Sequence, residues 1–213
     1  MIRIGIVGYG NIGRGVELAV ERNEDMKLVA VVTRRNPEDV KVLTEDVKKV
    51  HLDDILTLKD EVDVMILCGG SATDLPVMGP QIVANFNTID SFDTHAKIPE
   101  YFAAMDKAAT EGGNVGIISV GWDPGFLSLM RLYITSFLPG ASVNTFWGRG
   151  VSQGHSEALR RIPGVLRAVQ YTAPKAEALT LASLVCHPLD DTDRHKRVCY
   201  IAAEKGREDD VRK

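Results

Sequence analysis

Two aspartates, Asp93 and Asp123, are the carboxylates of this sequence that stand where acid–base chemistry would be expected. Each comes just after an apolar run of strand length, and both runs are predicted to belong to one parallel sheet. The two carboxylates are therefore expected at the same sheet edge, where such a pair can bind an ammonium group and assist its deprotonation. Aspartate also caps helices and turns routinely, and residue type alone leaves that second interpretation open for both.

Histidines, tryptophans and one arginine are the next candidates. His95 and His155 lie near glycine-rich loops and can be catalytic or structural; neither has a second histidine or cysteine at metal-ligand spacing, so no metal site is predicted. Trp122 and Trp147 flank glycines and can either wall a pocket or belong to the core. Arg197, in an alternating segment, can bind a substrate carboxylate through its forked guanidinium or pair at the surface.

The segment from Ile2 to Gly15 has the order strand, tight turn and helix. Gly8 permits the turn, Gly10 lets the backbone approach a phosphate, and Gly13 lets the helix pack on the strand. The first N–H groups of such a helix can bind a pyrophosphate. The pattern therefore predicts a dinucleotide site, and the alternative is a glycine-rich turn that binds nothing.

A second predicted strand, residues 27–32, is followed by a basic dipeptide, Arg34 and Arg35. At this place in the architecture an acidic residue binds the ribose of NAD, whereas arginine accommodates the 2′-phosphate of NADP. No acidic residue follows the strand before Glu38. The pair therefore favours NADP as the cofactor, and the alternative is a solvated basic turn.

The remaining segments of the first half continue the alternation of strands and helices. Strands are predicted at residues 63–68, 88–92 and 115–120, a short one near 47–50, and helices at 75–85 and 98–112. Small residues at 69–74 follow one of these strands, at the edge where ligands of open α/β sheets bind. We therefore expect an α/β fold, a Rossmann-type doubly wound parallel sheet, as an NADP-binding domain of residues 1–120.

Residues 121–213 have a different character. Helices are predicted at 126–138 and 156–161, strands at 143–147, 166–172 and 197–203, and a charged tail at 204–213. Without the regular βαβ alternation, this half is expected to be an α+β domain for substrate binding or dimerisation. A charged segment directly after a strand is an unusual end for a domain, so we expect this domain to be C-terminally incomplete.

The composition is that of an ordinary globular chain, with 45% hydrophobic residues and a net charge of −4. This balance gives no electrostatic support for binding nucleic acid or an anionic membrane, and no apolar run is long enough to span a bilayer. The three cysteines are far apart, which favours free thiols in a reducing compartment. With no leader visible at the N-terminus, a cytoplasmic location is expected.

Several longer motifs make the sequence similar to the meso-diaminopimelate dehydrogenase family from residue 2 to about residue 203. They are VGYGNIGRG, CGGSATDLP, DSFDTH, SVGWDPG, TFWGRGVSQGHSEALRRIPGV and HKR. The resemblance implies a homodimeric enzyme of lysine and cell-wall precursor synthesis. Its reaction would be the reversible, NADP-dependent oxidative deamination of the D-centre of meso-2,6-diaminopimelate, which yields L-2-amino-6-oxopimelate, ammonia and NADPH.

The resemblance also assigns residues. For the cofactor it implies Gly10, Asn11, Ile12, Arg34, Arg35, Gly70, Ser71, Ala72, Thr73, Ser91, Phe92 and Asp93. For the substrate it implies Asp93, Asp123, Trp147, Gln153, Gly154, Thr172 and Arg197. Of these, Asp93 and Asp123 would engage the D-centre amine, whereas Thr172 and Arg197 would bind the distal L-amino-acid end.

The resemblance also implies that family members continue well beyond the position of Lys213, in a part that would supply a histidine and an asparagine to the substrate site. Rival interpretations remain. Dihydrodipicolinate reductase and homoserine dehydrogenase share the first 35 residues in outline, but neither explains WDPG together with SQGHSEALRRIPG. A non-catalytic NADP-binding regulatory protein, or an inactive fragment, is the alternative from another class.

Overall fold

A computed structural model describes residues 1–184 and 189–212 of the chain. The contacts within the chain divide it into two compact units, Met1–Met130 and Arg131–Lys213. The domain boundary expected after residue 120 stays a prediction. In the two described ranges, no helix combines the length and the apolar character needed to cross a membrane.

The first unit is built on a six-stranded parallel sheet, as predicted. Its strands lie in the order β3-β2-β1-β4-β5-β6. Strands β2 and β3 are therefore added to one side of β1 and the last three strands to the other side, and the strand order switches between β1 and β4. The strands are β1 Ile2–Val7, β2 Met26–Thr33, β3 Lys48–His51, β4 Val64–Leu67, β5 Asn87–Asp90 and β6 Gly116–Ile117.

Helices connect these strands on both faces of the sheet. They are α1 Asn11–Glu21, α2 Leu75–Val83 and α3 Ile98–Gly112, and α4 Phe126–Phe137 follows the last strand. The bounds of α3 confirm the sequence prediction: Pro99 fits the first turn, and Gly113 ends the helix at φ +67°. Two apolar clusters fill the space between sheet and helices, one including Val20 of α1 and the other Leu75 and Met105 of α2 and α3.

The last strand of the sheet is shorter than predicted. Only Gly116–Ile117 pairs with β5, although an apolar strand was expected over residues 115–120. Ser119 has φ +61°, a left-handed conformation that interrupts an extended strand. The N–H of Val120 still donates to Asp90 O at 2.8 Å, so the chain stays beside β5 after the ladder ends.

The second unit contains a three-stranded antiparallel sheet in the order β7-β8-β9. Its strands are β7 Gly150–Val151, β8 Val165–Pro174 and β9 His195–Ala203. Its helices are α5 Gln153–Arg160, α6 Ala176–Leu184, α7 Asp191–Arg194 and α8 Glu208–Arg212. Strands and helices are mixed without βαβ units, which confirms the predicted α+β character.

One strand prediction for this half was wrong, and the charged tail contains a short helix. The described residues 141–148 have no regular secondary structure, although a strand was expected at 143–147. The segment has the aromatic and β-branched residues of a strand. Its backbone N–H at Trp147, however, donates to the His195 side chain at Nε2 and not to a neighbouring strand. The charged tail contains α8, whose first turn is acidic and so suits the positive end of the helix dipole.

Candidate functional site

The glycine-rich turn after β1 has the shape that a pyrophosphate site needs. Gly8 has φ +92°, and a Cβ on it would lie 3.3 Å from the Cys68 carbonyl. A Cβ on Gly13 would lie only 2.4 Å from Gly8 O, so α1 packs on the turn through this glycine. At the N-cap, Gly10 has open space around its Cβ direction, and the first turn of α1 carries no acidic residue. An anion can therefore approach the first N–H groups of α1.

Two glycines of α1 give a matched test of this packing. We expect Gly13→Ala to destabilise the chain by about 1 to 3 kcal/mol, because the new methyl group meets a backbone oxygen. Gly15→Ala should instead stabilise it by about 0.5 to 1 kcal/mol, since nothing lies within 4 Å of that Cβ. Urea unfolding of both variants measures the difference. Equal stability of the two would contradict the close contact.

The two arginines after β2 are both held by acceptors of the protein. Arg34 forms a bidentate ion pair with Asp74, with Nη1–Oδ1 at 3.0 Å and Nη2–Oδ2 at 3.1 Å. Arg35 Nη2 donates to Tyr9 O at 3.0 Å, in the glycine-rich turn itself. The two guanidinium groups are therefore fixed beside the turn, where a 2′-phosphate would be bound.

Asp74 is a site residue that the sequence analysis missed, because the predicted contacts ended at Thr73. Gly70 N–H donates to its Oδ2 at 3.0 Å, and this bond, with the Arg34 ion pair, holds the pKa of Asp74 below its usual value. Asp74 thus joins the loop after β4 to the end of β2. A polar residue directly before an apolar helix was the available signal, but it indicates only a cap.

The loops after β4 and β5 meet at predicted cofactor residues. Asp93 N–H donates to Ser71 Oγ at 3.0 Å, and the side chain of Asp93 is exposed. Phe92 is 1% exposed and its ring stacks on Tyr101 at a centroid distance of 4.2 Å. Only the backbone of Phe92 can therefore face a ligand, whereas Asp93 presents its carboxylate.

Asp90, at the end of β5, is a second residue that sequence reasoning missed. It is buried, and its Oδ1 accepts hydrogen bonds from Phe92 N–H at 2.9 Å and from Ser119 N–H at 3.0 Å. Its Oδ2 accepts a hydrogen bond from Tyr101 Oη at 2.6 Å. One carboxylate thus fixes both the loop that carries Asp93 and the chain that leads from β6 towards residue 123.

Asp123 lies in the loop after β6, and β6 pairs with β5, the strand that precedes Asp93. It is half-buried, and Ser128 Oγ donates to its Oδ1 at 3.3 Å. Trp122 is 66% exposed and packs edge-on against Phe126, which excludes a core role for that tryptophan. The loops of both candidate carboxylates therefore follow neighbouring strands, as the sequence predicted.

In the second unit, Thr172 and Arg197 lie directly opposite one another on β8 and β9. Gly150 of β7 lies opposite Thr172 on its other side. Thr172 is half-buried and Arg197 is exposed. Facing residues of an antiparallel pair have Cβ atoms about 4.5 to 5.5 Å apart, so this hydroxyl and this guanidinium can bind one ligand group together.

The start of α5 is fastened to the same strand. Ser152 N–H donates to Gln170 O at 2.9 Å, and Gln170 N–H donates to Ser156 Oγ at 2.9 Å. The buried Ser156 hydroxyl donates in turn to Ser152 O at 2.6 Å. The start of α5 therefore lies beside β8 at Gln170.

Trp147 is joined to the end of β8 by a hydrogen bond to His195. The backbone N–H of Trp147 donates to Nε2 of His195 at 2.8 Å, and His195 lies opposite Pro174 in the β8–β9 ladder. Hydrogen bonds and strand pairing therefore place the backbone of Trp147 and residue Arg197 beside residues 172–174 of β8, through His195 and Thr172. Of the other histidines, His155 shares a 2.6 Å hydrogen bond with Ser152 Oγ, and His95 is exposed at the start of a short 3₁₀ helix.

The contact to Trp147 predicts a pH dependence. A backbone N–H can only donate, so Nε2 of His195 must be unprotonated. Burial and the charges of Arg194 and Arg197 lower the pKa of His195 from its ordinary value of 6.5. Since the folded pKa lies below the unfolded one, this stabilisation is complete above about pH 6.5 and is lost as the pH falls through the folded pKa.

We expect the free energy of unfolding to fall by about 0.5 to 1.5 kcal/mol over that window, as one hydrogen bond is lost. Urea unfolding at pH 7.5 and at pH values below 6.5 measures the change. His195→Gln is the control, because the glutamine oxygen can accept from Trp147 N–H without titrating. An equal acid loss in the wild type and in this variant would contradict the role of His195.

The strand order, the glycine-rich turn at the start of α1 and the basic pair after β2 define the Rossmann class of dinucleotide-binding folds. Within that class the comparisons with known proteins are specific. A family model described as the diaminopimelic acid dehydrogenase C-terminal domain matches residues 121–213. The meso-diaminopimelate D-dehydrogenase of Ureibacillus thermosphaericus is 58% identical over 206 residues, which are 96% of this chain and 63% of that protein.

Solved structures agree over nearly the whole chain. A multiply substituted mutant of the Clostridium tetani E88 meso-diaminopimelate dehydrogenase, solved with DAP, is 46% identical with a TM-score of 0.87. The match covers 99% of this chain and 67% of that one. An engineered D-amino acid dehydrogenase bound to NADP⁺ is 41% identical with a TM-score of 0.85, over 99% of this chain and 65% of that one.

With this similarity throughout both units, the chain belongs to the meso-diaminopimelate dehydrogenase family. It spans 63% of the length of the Ureibacillus relative. The longer motifs that suggested the family from the sequence lie at the loops of the first unit and, in the second, across β7 and α5 and at the start of β9.

Proposed function

We propose that this protein catalyses the reversible, NADP-dependent oxidative deamination of meso-2,6-diaminopimelate at its D-centre. The products would be L-2-amino-6-oxopimelate, ammonia and NADPH. The observation that carries the proposal is the sheet edge of the first unit, where the glycine-rich turn, Arg34, Arg35 and the loops of Asp93 and Asp123 all follow parallel strands. The names of the relatives, and the DAP and NADP⁺ bound in solved structures, support it.

The residues present fit NADP. The open N-terminus of α1 suits the pyrophosphate, and Arg34 and Arg35 suit the 2′-phosphate. The remaining cofactor contacts are assigned to Gly8, Asn11, Ile12, Gly13, Gly70, Ser71, Ala72, Thr73, Ser91, Phe92 and Asp93. Bound NADP⁺ supplies the hydride acceptor.

The proposed substrate residues form two sets, one for each end of the diaminopimelate molecule. Asp93 and Asp123 bind the D-centre ammonium and assist its deprotonation, which prepares the carbon to lose hydride. Thr172 and Arg197 bind the distal L-amino-acid end, with Trp147, Gln153 and Gly154 completing the site. Since the two ends of the substrate are chemically alike apart from handedness, fixing the distal end first selects the D-centre.

Hydrolysis of the resulting substrate imine requires a water molecule and a base. His155 is the candidate, because its Nδ1 is oriented by Ser152 Oγ at 2.6 Å in the first turn of α5. The protein would act as a homodimer in the cytoplasm. The free thiols of Cys68 and Cys199 suit a reducing compartment.

The test is an assay of NADPH formation with the meso, LL and DD isomers of diaminopimelate as separate substrates. Activity with the meso isomer alone is the expected result. NADPH binding without turnover of any isomer would overturn the catalytic proposal in favour of a regulatory NADP-binding protein. Turnover of the LL isomer at the same rate would overturn the assignment to the D-centre.

A further inference from the structure

A carboxylate that has no part in the proposed reaction is buried beneath the glycine-rich turn. Glu17 of α1 has no exposed surface. It accepts a hydrogen bond from Tyr9 Oη, and its Oε1 accepts from Leu43 N–H at 3.0 Å, Thr44 N–H at 2.8 Å and Thr44 Oγ1 at 2.8 Å. Four donors thus converge on one side chain.

This convergence keeps Glu17 ionised. Burial by itself would raise the pKa of the carboxyl, but the hydrogen bonds from Tyr9, Thr44 and Leu43 lower it below the usual value. Burial and the bond to Glu17 raise the pKa of Tyr9 to about 12, so its hydroxyl remains a donor at neutral pH. A buried charge in which both oxygens accept hydrogen bonds is a rigid anchor.

Tyr9 connects this anchor to the cofactor site. It stands between Gly8 and Gly10, whose backbones are permissive, so the direction of the carbonyl of Tyr9 depends on its side chain. The Tyr9 ring is buried, and the Arg14 guanidinium lies 5.9 Å from its centroid. The carbonyl of Tyr9 accepts Arg35 Nη2 at 3.0 Å.

We propose that Glu17 is a positioning residue that sets the NADP preference of this site through Tyr9 and Arg35. The buried carboxylate fixes the Tyr9 hydroxyl, the fixed tyrosine orients its own carbonyl, and that carbonyl holds the guanidinium where a 2′-phosphate binds. The inference rests on the proposed NADP site. It assigns the preference partly to a residue that no cofactor touches.

Tyr9→Phe is the primary test, because it removes one hydroxyl and keeps the buried ring. We expect the Kd of NADPH, measured by its fluorescence on the whole chain, to rise about 3- to 10-fold, which is the effect of one hydrogen bond. The Kd of NADH should change less than about twofold, since NADH has no 2′-phosphate for Arg35 to bind. Glu17→Gln should shift the preference in the same direction.

A double-mutant cycle shows whether the effect passes through Arg35. In an Arg35→Ala background, Tyr9→Phe should have no further effect on NADPH, because the contact it supports is already gone. Glu21→Gln is the matched control: Glu21 shares the single Thr44 hydroxyl proton with Glu17, with Thr44 Oγ1 at 2.9 Å from Glu21 Oε1, but Glu21 does not bond to Tyr9. It should leave both dissociation constants unchanged.

Three results would overturn the inference while leaving the proposed function intact. They are equal weakening of NADPH and NADH in Tyr9→Phe, no weakening of either, or full additivity with Arg35→Ala. Failure of the wild type to bind NADPH at all would instead refute the proposed function, and the inference with it. Binding without turnover leaves the test valid, since its readout is affinity.

Discussion

Replacing Asp123 by asparagine should lower kcat with meso-diaminopimelate by about 10²- to 10⁴-fold, the usual contribution of a positioned acid–base group. Asparagine keeps the size of the side chain and can still accept the hydrogen bond from Ser128 Oγ. It loses the charge that binds the ammonium and the capacity to accept its proton. The loss should therefore fall on turnover, whereas the Kd of NADPH stays within about twofold.

The matched control for this variant is Asp106→Asn. Asp106 is exposed on α3, so the substitution makes the same charge change in the same unit without altering a candidate site residue. Its kcat should equal that of the wild type. Unchanged turnover in Asp123→Asn, or an equal loss in both variants, would refute the role of Asp123.

Removal of both guanidinium groups after β2, in Arg34→Ala/Arg35→Ala, should raise the Kd of NADPH on the order of 100-fold or more, because hydrogen bonds to charged groups are strong. The Kd of NADH should change little. Both arginines are already fixed by protein acceptors, Asp74 for one and Tyr9 O for the other, so little side-chain entropy is lost when a phosphate binds.

The two single variants differ in the partner group that each substitution leaves behind. Arg34→Ala also leaves Asp74 without its ion-pair partner, whereas Arg35→Ala leaves no carboxylate behind. Arg22→Ala, at the C-cap of α1, removes the same charge away from the turn and should leave both dissociation constants unchanged. NADPH and NADH weakening by equal factors in the double variant would refute the assignment of these arginines to the 2′-phosphate.

The architecture of the first unit was predictable because its signals are local. An apolar run, a glycine pattern and a helix with proline near its start and glycine beyond its end each lie within about 15 residues. The carboxyl ends of parallel strands then place Asp93 and Asp123 on neighbouring loops without further information. The long motif across β7 and α5 identified the family for the same reason, because it is one continuous segment.

The residues that organise these loops were not predictable, because their partners are distant in sequence. Asp90 bonds to Ser119, 29 residues away, and Glu17 bonds to Thr44, 27 residues away. A buried carboxylate in a strand or helix has no sequence pattern that separates it from an exposed one. The expected strand at residues 143–147 was wrong for a related reason, since the tertiary contact of Trp147 with His195 replaced strand pairing.

The carboxylate of Asp90 supports two loops of the sheet edge without belonging to either of them. It binds backbone N–H groups of Phe92 and Ser119, so a residue outside both loops holds the chain that leads towards positions 93 and 123. Asp123→Asn is therefore expected to leave the backbone at Phe92 and Ser119 in place, which is why its effect should fall on turnover. A substitution of Asp90 would instead release both loops at once, so residue 90 is the position to leave untouched in any redesign of this edge.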